Sequence, residues 1–347
     1  MAVCLQDYEN LIKWGSCSWN YPVGWRNVVY RQRLSPPQMS LFSSNRSAGD
    51  PLVAEMDVAK STSTNASAEL LPEYCAFPAF STLCFDMTHY RPYACEELHE
   101  LASFMPPDFP VVIKVWDQIS KIGRWRKVID PNDGDSGYRR EKNEDFLNPR
   151  IFVDHFLHPF ELAFKNHVGI FLFEFMRLGY FDHHRQVWVN YNHHKFNQAL
   201  DRFLGVLPKA YHYAIELRDH NLINRDYARI LQRHGVAHCF NQWETMPSIW
   251  KQYETLGFTA NRSLIRLLTP PQIKYAFVQK AYAPYDRIHQ RLPEVRQDIV
   301  RMVEEAMARE VELFVVANNC AEGHAPGTIT ELDSYMRNSF LPAELAA

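Results

Sequence analysis

The chain has 347 residues, of which 46% are hydrophobic and 22% are charged, an ordinary globular composition with enough apolar material for one large or two smaller domains. A net charge of -3 and a pI near 6.6 give no overall basic surface of the kind that supplies nucleic-acid affinity, which disfavours nucleic acid as a partner. Seven scattered cysteines without a C-x-x-C pair indicate neither a disulfide framework nor a zinc site, and favour a reducing compartment.

The first ten residues, MAVCLQDYEN, lack both the positive region and the apolar region of a signal peptide. No stretch approaches the roughly 18 apolar residues that a membrane span needs. We therefore expect a cytoplasmic protein with no membrane partner. The sequence indicates no particular cofactor and no metal.

Eight short apolar runs alternate along most of the chain with segments of helical spacing, such as 145–166, 195–207, 223–234 and 293–309. This alternation is typical of βαβ units, and eight such units in a chain of this length predict a (β/α)₈ TIM barrel in the α/β class. The eight predicted strands lie at 11–19, 80–88, 110–117, 168–175, 211–219, 235–243, 263–269 and 312–319.

Two stretches exceed a minimal barrel. Residues 40–70 are rich in Ser, Ala, Asn and Thr and predict a flexible low-complexity insertion after the first strand. Residues 130–144 are polar and rich in turn formers, which predicts a mobile loop after the third strand. Without a Pro/Gly-rich linker, we expect a single domain over residues 11–338.

Successive side chains of a strand point to opposite faces, and several charged residues fall on the face predicted to point into the barrel. Most of them lie past the middle of their predicted strand. Three are acids and three are bases, and equal numbers of opposite charges are what burial in a barrel requires. We expect them to meet at the carboxyl-end mouth, where active sites of this fold cluster. The set is Asp86, Glu174, Glu216, Lys114, Arg218 and Arg266.

The three acids are candidate catalytic residues, and Glu216 is the predicted proton shuttle because burial and flanking cations push the pKa of a carboxyl in opposite directions. Glu174 or Asp86 is its candidate partner. Arg218, Arg266 and Lys114 are predicted to bind an anionic or polyhydroxylated small-molecule ligand together with Asn318 and Asn319. The competing interpretation is a mutually paired network that only fills the top of the barrel.

Adjacent amides, Asn318 and Asn319, end the eighth predicted strand, and a turn through 323–327 leads into the last helix. The loops after strands 7 and 8, together with a helix N-terminus, hold a phosphate in many barrels. Pro and Gly at such a place also serve ordinary capping, which we favour. His324 is either an acid/base and ligand-binding group or a cap of this turn.

Three further sets of residues have both a functional and a structural interpretation. His183, His184, His193 and His194 are interpreted as a solvated loop rather than a metal site. Cys17 and Cys84 are either nucleophiles or ordinary buried cysteines, and the latter are commoner. The aromatic residues Trp19, Tyr21 and Trp25 either stack a sugar or base at the mouth, with Trp19 as a binding residue, or pack the first loop.

These residues resemble the YecE-like family, a group of TIM-barrel proteins of unknown function. The opening GSCSWNY at 15–21 resembles its G-T-S-G-W-x-Y, and Glu216-Leu217-Arg218 resembles its E-x-R on the fifth strand. Arg266 falls where its R-L-H-G begins, and the close at 318–325 resembles its F-N-N…G-H-A. The resemblance, which runs from about residue 11 to 338, implies a barrel with a polar mouth and no particular reaction.

The chain departs from the family pattern at several inward positions. Cys84 stands where the family has Glu, and Asp86 stands where it has Asn. Glu174 replaces Gln, and Leu268-Thr269 replaces His-Gly. Either the acids at 86 and 174 take the place of the acid missing at 84, which keeps the charge balance, or the chemistry of the family is changed or lost in this chain.

We therefore expect an enzyme that applies acid/base chemistry, as a hydrolase for example, to a small anionic or sugar-like substrate. The alternatives are a barrel that binds a ligand without catalysis and, third, a nucleic-acid-processing protein, which the acidic net charge disfavours.

Overall fold

The computed structural model describes residues 4–31, 68–129, 136–176, 178–182, 185, 187–190 and 192–340. Eight parallel strands close into a barrel, and two antiparallel hairpins are added to it. The barrel strands are β1 (Ile12–Ser16), β2 (Thr82–Phe85), β3 (Val111–Lys114), β6 (Val168–Phe175), β9 (Tyr213–Leu217), β10 (Ala237–Gln242), β11 (Arg262–Leu267) and β12 (Glu312–Ala317). The hairpin strands are β4 (Gly123–Ile129), β5 (Ser136–Lys142), β7 (Gly179–Asp182) and β8 (Val187–Asn190).

Helices follow the barrel strands and cover the outside of the barrel. Their bounds are α1 (Leu5–Leu11), α2 (Leu71–Cys75), α3 (Cys95–Ser103), α4 (Asp117–Ser120), α5 (Pro149–Ile151), α6 (His158–Ala163), α7 (His193–Val206), α8 (Arg225–His234), α9 (Ile249–Leu256), α10 (Tyr275–Tyr282), α11 (Pro293–Ala308), α12 (Asn319–Glu322) and α13 (Ala325–Asn338). A π-helical stretch, Phe152–Leu157, joins α5 to α6. The predicted (β/α)₈ fold is confirmed, and all eight barrel strands fall within or within one residue of the predicted runs.

Barrel closure follows from strand order. Around the barrel the strands run β1-β12-β11-β10-β9-β6-β3-β2, and β1 pairs in parallel with both β12 and β2. Because successive strand residues face opposite sides, each strand contributes to two separate cores. The inner core is small and consists of Cys17, Cys84, Val112, Ile170, Leu172, Ala214, Ala237, Cys239, Leu264, Leu268, Phe314 and Val316.

The amino-end floor of the barrel is closed by a side chain that crosses it. Arg262 on β11 donates from Nη1 to the carbonyl oxygen of Gly169 on β6, at 2.9 Å. It also forms an ion pair with Glu312, at 2.5 Å, and its guanidinium lies 5.7 Å from the ring centre of Phe314.

Gly15 lets β1 approach β2 closely. A Cβ atom at this position would lie 2.1 Å from the carbonyl oxygen of Thr82, which no side chain permits. Beside it, the Tyr74 hydroxyl of α2 accepts from the Ser16 N–H and donates to the same Thr82 carbonyl, both at 3.0 Å. This contact closes the seam between the first two strands.

The predicted mobile loop at 130–144 is wrong over residues 136–142. Residues 136–142 form β5, which pairs with β4 in an antiparallel hairpin from Gly123↔Lys142 to Ile129↔Ser136. A second hairpin, β7–β8, follows β6 and contacts the first. The alternating Arg, Trp and Tyr residues of 123–142 permit a strand, and the turn formers at 130–135, which lie outside the described residues, had suggested a loop.

Other expectations are corrected or lie outside the described residues. The predicted insertion at 40–70 is outside them except for 68–70, and so are His183 and His184. His193 and His194 open helix α7 instead of lying in a loop, because the Asn192 side chain accepts from two N–H groups of the first turn. Among the described helices, none is long and apolar enough to cross a membrane.

Candidate functional site

Six ionisable side chains from five barrel strands meet at the carboxyl-end mouth. Each stands at or just beyond the end of its strand, which is why the sequence phase could place it. They are Asp86 after β2, Lys114 on β3, Glu174 on β6, Glu216 and Arg218 on and after β9, and Arg266 on β11. The structure thus brings together all six charged residues that the sequence predicts, with three charges of each sign.

Arg266 lies at the centre of this network, with only 1% of its side chain exposed. Its Nη1 contacts Glu216 Oε2 at 2.5 Å, and its Nη2 contacts Asp86 Oδ1 at 2.7 Å. The same Nη2 lies 3.7 Å from the Cys17 sulfur. One guanidinium therefore ties two acids from opposite sides of the barrel through a planar fork of donors.

Arg218 and Lys114 complete the network through Glu174. The Oε2 atom of Glu174 lies 2.5 Å from Arg218 Nη2 and 2.9 Å from Lys114 Nζ. These two contacts have the distance of ion pairs without the angles of hydrogen bonds. Arg218 Nε also donates to Glu216 Oε1 at 2.9 Å, so both oxygens of Glu216 are held by arginines.

The pKa shifts of four of these six side chains favour their charged forms. Burial alone would raise the pKa of Glu174, but Arg218 and Lys114 outweigh it and hold this pKa well below its usual range. Burial would lower the pKa of Lys114, Arg218 and Arg266, yet the facing carboxylates raise all three. With three acids facing three bases, the formal charges of the six side chains cancel.

His89 stands beside this network as a neutral group. Its Nδ1 lies 3.1 Å from the carbonyl oxygen of Val115, and its Nε2 lies 3.9 Å from Glu174 Oε1. Burial, followed by the charge of Lys114, lowers the pKa of His89 to about 4. A neutral imidazole that donates from Nδ1 has no proton on Nε2, so His89 and the Glu174 carboxylate share no hydrogen bond at this distance.

Aromatic side chains surround the charged centre at the rim. The guanidinium of Arg218 lies 4.1 Å from the ring centre of Trp243, a cation–π contact, and the ring of Tyr275 lies 6.1 Å from that of Trp243. Partial burial raises the pKa of Tyr90 and of Tyr275, and the charge of Asp86 contributes to both shifts. The phenols, the indole and the carboxylate therefore share one neighbourhood.

Exposure separates the three acids. The side chain of Asp86 is 28% exposed, whereas those of Glu174 and Glu216 are 5% and 0% exposed. The cause lies in the backbone: β2 ends at Phe85, one residue before Asp86, and a 3-10 turn begins at Met87. The predicted strand to residue 88 is wrong at this end, and the early turn leaves Asp86 at the rim.

The residues predicted near the end of the eighth strand serve the starts of the last two helices, Asn318 that of α12 and Asn319 and His324 that of α13. The side chain of Asn318 accepts from Cys320 N–H, and that of Asn319 accepts from Ala325 N–H at 2.9 Å and from Trp25 Nε1 at 3.1 Å. His324 Nδ1 accepts from Gly327 N–H at 3.1 Å, so it caps α13. Because Pro326 has no N–H, these contacts occupy the first donors of the helix, and capping accounts for them without a phosphate.

Two polar atoms remain there without a hydrogen-bond partner among the described residues, Asn319 Nδ2 and His324 Nε2. Glu322, the last residue of α12, is 3% exposed and forms an ion pair with Arg296. Its carboxylate also accepts hydrogen bonds from Leu292 N–H at 2.7 Å and from Thr328 Oγ1 at 3.0 Å. This part of the predicted site is therefore a second polar cluster, beside the charged centre.

Trp19 and the candidate nucleophiles lie away from solvent. Trp19 and Trp25 are 0% exposed and belong to the outer core, where Trp19 packs on Phe85 at 5.1 Å. Burial raises the pKa of the Cys17 thiol to about 12 and that of the Cys84 thiol well above its usual range. Both cysteines have the properties of inert core residues.

The sequence patterns did not predict three residues at the mouth, Trp243, Tyr275 and Tyr90. Trp243 is in phase with Cys239 and Asn241 on the inward face of β10, so alternation contained a signal for it. Tyr90 ends the 3-10 turn after β2 and Tyr275 is the first residue of α10, so the alternation of the strands does not extend to either. Among the described residues no group of three or more His, Cys, Asp or Glu is arranged for a metal ion.

A groove of about 450 Å³ lies at the opposite end of the barrel, lined by Gln232, Trp250, Tyr253, Glu254, Gly257, Phe258, Glu305 and Arg309. These residues come from the ends of α8, α9 and α11 and the segment before β11. The network of buried charges is at the mouth, and we place the candidate site there.

The fold and the site define a (β/α)₈ barrel protein with a charge-neutral polar mouth. The chain belongs to the DUF72 family, which is described as a protein of unknown function. The model of this family matches residues 60–345. YecE-like is another name of the same family, so the resemblance seen in the sequence is confirmed. No curated protein sequence is significantly similar to the chain.

Solved structures of the same family have the same fold. A DUF72 protein from Thermotoga maritima superposes with a TM-score of 0.57 and 15% sequence identity, over 94% of this chain and 99% of the other. One from Enterococcus faecalis has a TM-score of 0.51 and 16% identity, over 79% of this chain and 95% of the other. At such identities the similarity establishes the fold and leaves the reaction open.

Proposed function

We propose that this barrel is an enzyme that acts on a small molecule at its mouth by acid/base chemistry, with Asp86 as the proton-transferring group. One observation carries the proposal: of the three acids in the neutral network, Asp86 is the one whose side chain reaches solvent. A general acid or base must come within hydrogen-bonding distance of its substrate.

The contacts of Asp86 suit this role. Arg266 Nη2 and the Cys84 thiol both donate to Oδ1, at 2.7 and 3.4 Å. We assign the transfer to Oδ2, the oxygen for which these two donors do not compete. Arg266, fixed on its other side by Glu216, keeps the carboxylate in one orientation and stabilises its charge.

The geometry supports a different role for Glu216 than the proton shuttle expected from the sequence. Both of its oxygens contact arginines, and none of its side chain is exposed. We therefore assign Glu216 and Glu174 as positioning residues that hold Arg218, Arg266 and Lys114. Loss of either acid would leave a buried cation without its partner.

The test is Asp86→Asn, which keeps the size of the side chain and removes its proton chemistry. Wild-type protein is incubated with a panel of sugars, polyols, sugar acids and sugar phosphates, and substrate consumption is followed by NMR. We expect turnover by the wild type and a loss of about 100-fold or more in the variant, the usual range for a general acid or base. Asp108→Asn, in an exposed loop before β3, is the matched control.

The alternative is a barrel that binds the same ligand without catalysis. The full pairing of Glu174 and Glu216 favours it, because such a network fills and orders the mouth without any reaction. Ligand binding by the wild type with no turnover across the panel would establish this alternative. Turnover that persists in Asp86→Asn would show that another group transfers the proton.

A further inference from the structure

We propose that the ligand of the mouth is an uncharged polyhydroxylated ring, such as a sugar or cyclic polyol, that packs against Trp243. This inference rests on the proposed function in placing the ligand at the mouth, and it chooses between the anionic and the sugar-like ligands that the sequence leaves open. Three features of the described residues carry it: the charge balance, the burial of the acids and the aromatic rim.

The first feature is that each cation of the network is already paired. Arg266 contacts Asp86 and Glu216, at 2.7 and 2.5 Å. Arg218 contacts Glu216 and Glu174, and Lys114 contacts Glu174, at distances from 2.5 to 2.9 Å. Three positive charges face three negative charges, so the network offers an anionic ligand no net attraction.

The second feature is that an anionic ligand could form an ion pair with one of these cations only by displacing the acid with which that cation is already paired. Glu174 is 5% exposed and Glu216 is 0% exposed, so neither can turn out to water when its partner is taken. A displaced carboxylate would remain buried and unpaired, which carries a large desolvation penalty. Only Asp86 can release its arginine without that penalty, and Asp86 is the proposed reactive group.

The third feature is the aromatic rim. Trp243 is partly buried, and the Arg218 guanidinium that lies 4.1 Å from its ring centre is itself fixed by Glu216, so the indole is held in place. Tyr275 lies 6.1 Å away at an interplanar angle of 34°, and is 37% exposed. Tyr90, beside Asp86, is 44% exposed.

These groups match the two kinds of surface that a sugar ring presents. Its C–H face is apolar and packs on an aromatic ring, while its edge carries hydroxyl groups in fixed directions. The Asp86 carboxylate accepts hydrogen bonds from hydroxyls, and the phenols of Tyr90 and Tyr275 both donate and accept them. An uncharged polyhydroxylated ring uses all of these groups and leaves the paired cations undisturbed.

Binding is measured by saturation-transfer NMR and calorimetry with matched probes: glucose, galactose, xylose and myo-inositol on one side, and glucose 6-phosphate and glucuronate on the other. We expect at least one uncharged probe to bind, with an affinity that does not change between 50 and 500 mM salt. Its phosphorylated or carboxylated counterpart should bind about tenfold more weakly or worse.

The matched variants are Trp243→Ala and Trp243→Phe. Loss of the indole should weaken binding of the uncharged probe by about tenfold or more, as removal of a stacking ring does elsewhere, and Phe should restore most of it. Tyr335→Ala removes an exposed aromatic ring from α13 and is the control. Thermal melting of each variant checks that the fold is intact.

Three results would overturn the proposed ligand class: tighter, salt-sensitive binding of the anionic probes, no binding of any uncharged probe, or unchanged affinity in Trp243→Ala. These results are separate from the test of the proposed function. An active Asp86→Asn variant that still binds the sugar would remove the assigned proton donor and leave the ligand class standing. A preference for anions together with an inactive Asp86→Asn variant would do the reverse.

Discussion

His238 is fully buried on the outward face of β10 and links two helices to the barrel. Its Nδ1 lies 3.0 Å from the Tyr227 hydroxyl of α8, and its Nε2 lies 3.2 Å from Gln252 Oε1 of α9. Burial lowers the pKa of His238 from 6.5 to about 4. The folded protein therefore keeps this ring neutral at pH values where the unfolded chain protonates it.

Because the unfolded state binds the proton first, stability should fall as the pH drops from about 6.5 to about 4. A shift of this size corresponds to about 3 kcal/mol lost from the free energy of unfolding by pH 4, measured by urea denaturation. His238→Gln should have a shallower pH dependence over this interval. The control is His194→Gln, in an exposed position on α7. Equal slopes in wild type and His238→Gln would contradict the assignment.

At the scale of single residues, the sequence predicted which residues form the charged site better than it predicted which of them are exposed to solvent. Inward phase on each strand was enough to find Lys114, Glu174, Glu216 and Arg266, because both faces of a barrel strand are covered and a charge there stands out. Which acid is exposed to solvent depends on where β2 ends. Because β2 ends at Phe85, Asp86 lies one residue beyond the strand. Phase could not show that Asp86 lies at the rim while Glu216 is enclosed by arginines.

At the scale of elements, two glycines give opposite expectations for the same substitution. Gly15→Ala would place a Cβ atom 2.1 Å from a backbone oxygen of β2 and should destabilise the protein by about 3 kcal/mol or more. Gly205→Ala, in helix α7, meets its nearest neighbouring atom at 3.6 Å and should stabilise by about 0.5–1 kcal/mol through helix propensity.

Both changes are measured as shifts in the urea midpoint of unfolding. Gly205→Ala is the control because it adds the same methyl group to a helix of the barrel exterior. A Gly15→Ala variant as stable as the wild type would show that β1 and β2 can separate without cost, against the close approach described above.

The strands and helices of the barrel were predictable because burial imposes a period on them. The two hairpins were not, since they lie outside that repeating unit and the turn formers at 130–135 had the composition of a loop. The same limit applies to Tyr90 and Tyr275, which lie beyond the ends of β2 and β11, where the alternation of the strands no longer applies. Local periodicity determines the scaffold, and the loops that complete its mouth depend on contacts between distant parts of the chain.

At the scale of the whole molecule, the two ends of the barrel should respond independently. Asp86→Asn and Glu216→Gln both act on Arg266, so their effects on the free energy of unfolding should deviate from additivity by about 0.5–3 kcal/mol. Glu312→Gln acts on Arg262 at the floor. Combined with Asp86→Asn, it should be additive within about 0.5 kcal/mol.

Denaturant unfolding of the single and double variants gives both coupling energies. Additivity of the pair at the mouth would mean that Arg266 does not connect its two acids. Strong coupling between the mouth and the floor would mean that the inner core transmits strain along the barrel axis.

The central guanidinium also bears on how the chain assembles. Arg266 is followed by only about a quarter of the sequence, whereas Asp86 precedes it by 180 positions and Glu216 by 50. Until β11 is synthesised and docked, neither acid has this partner, and water must continue to solvate both. The mouth of the barrel therefore cannot exclude water from these two acids before β11 is in place. Closure of the mouth is expected among the late, long-range steps of folding.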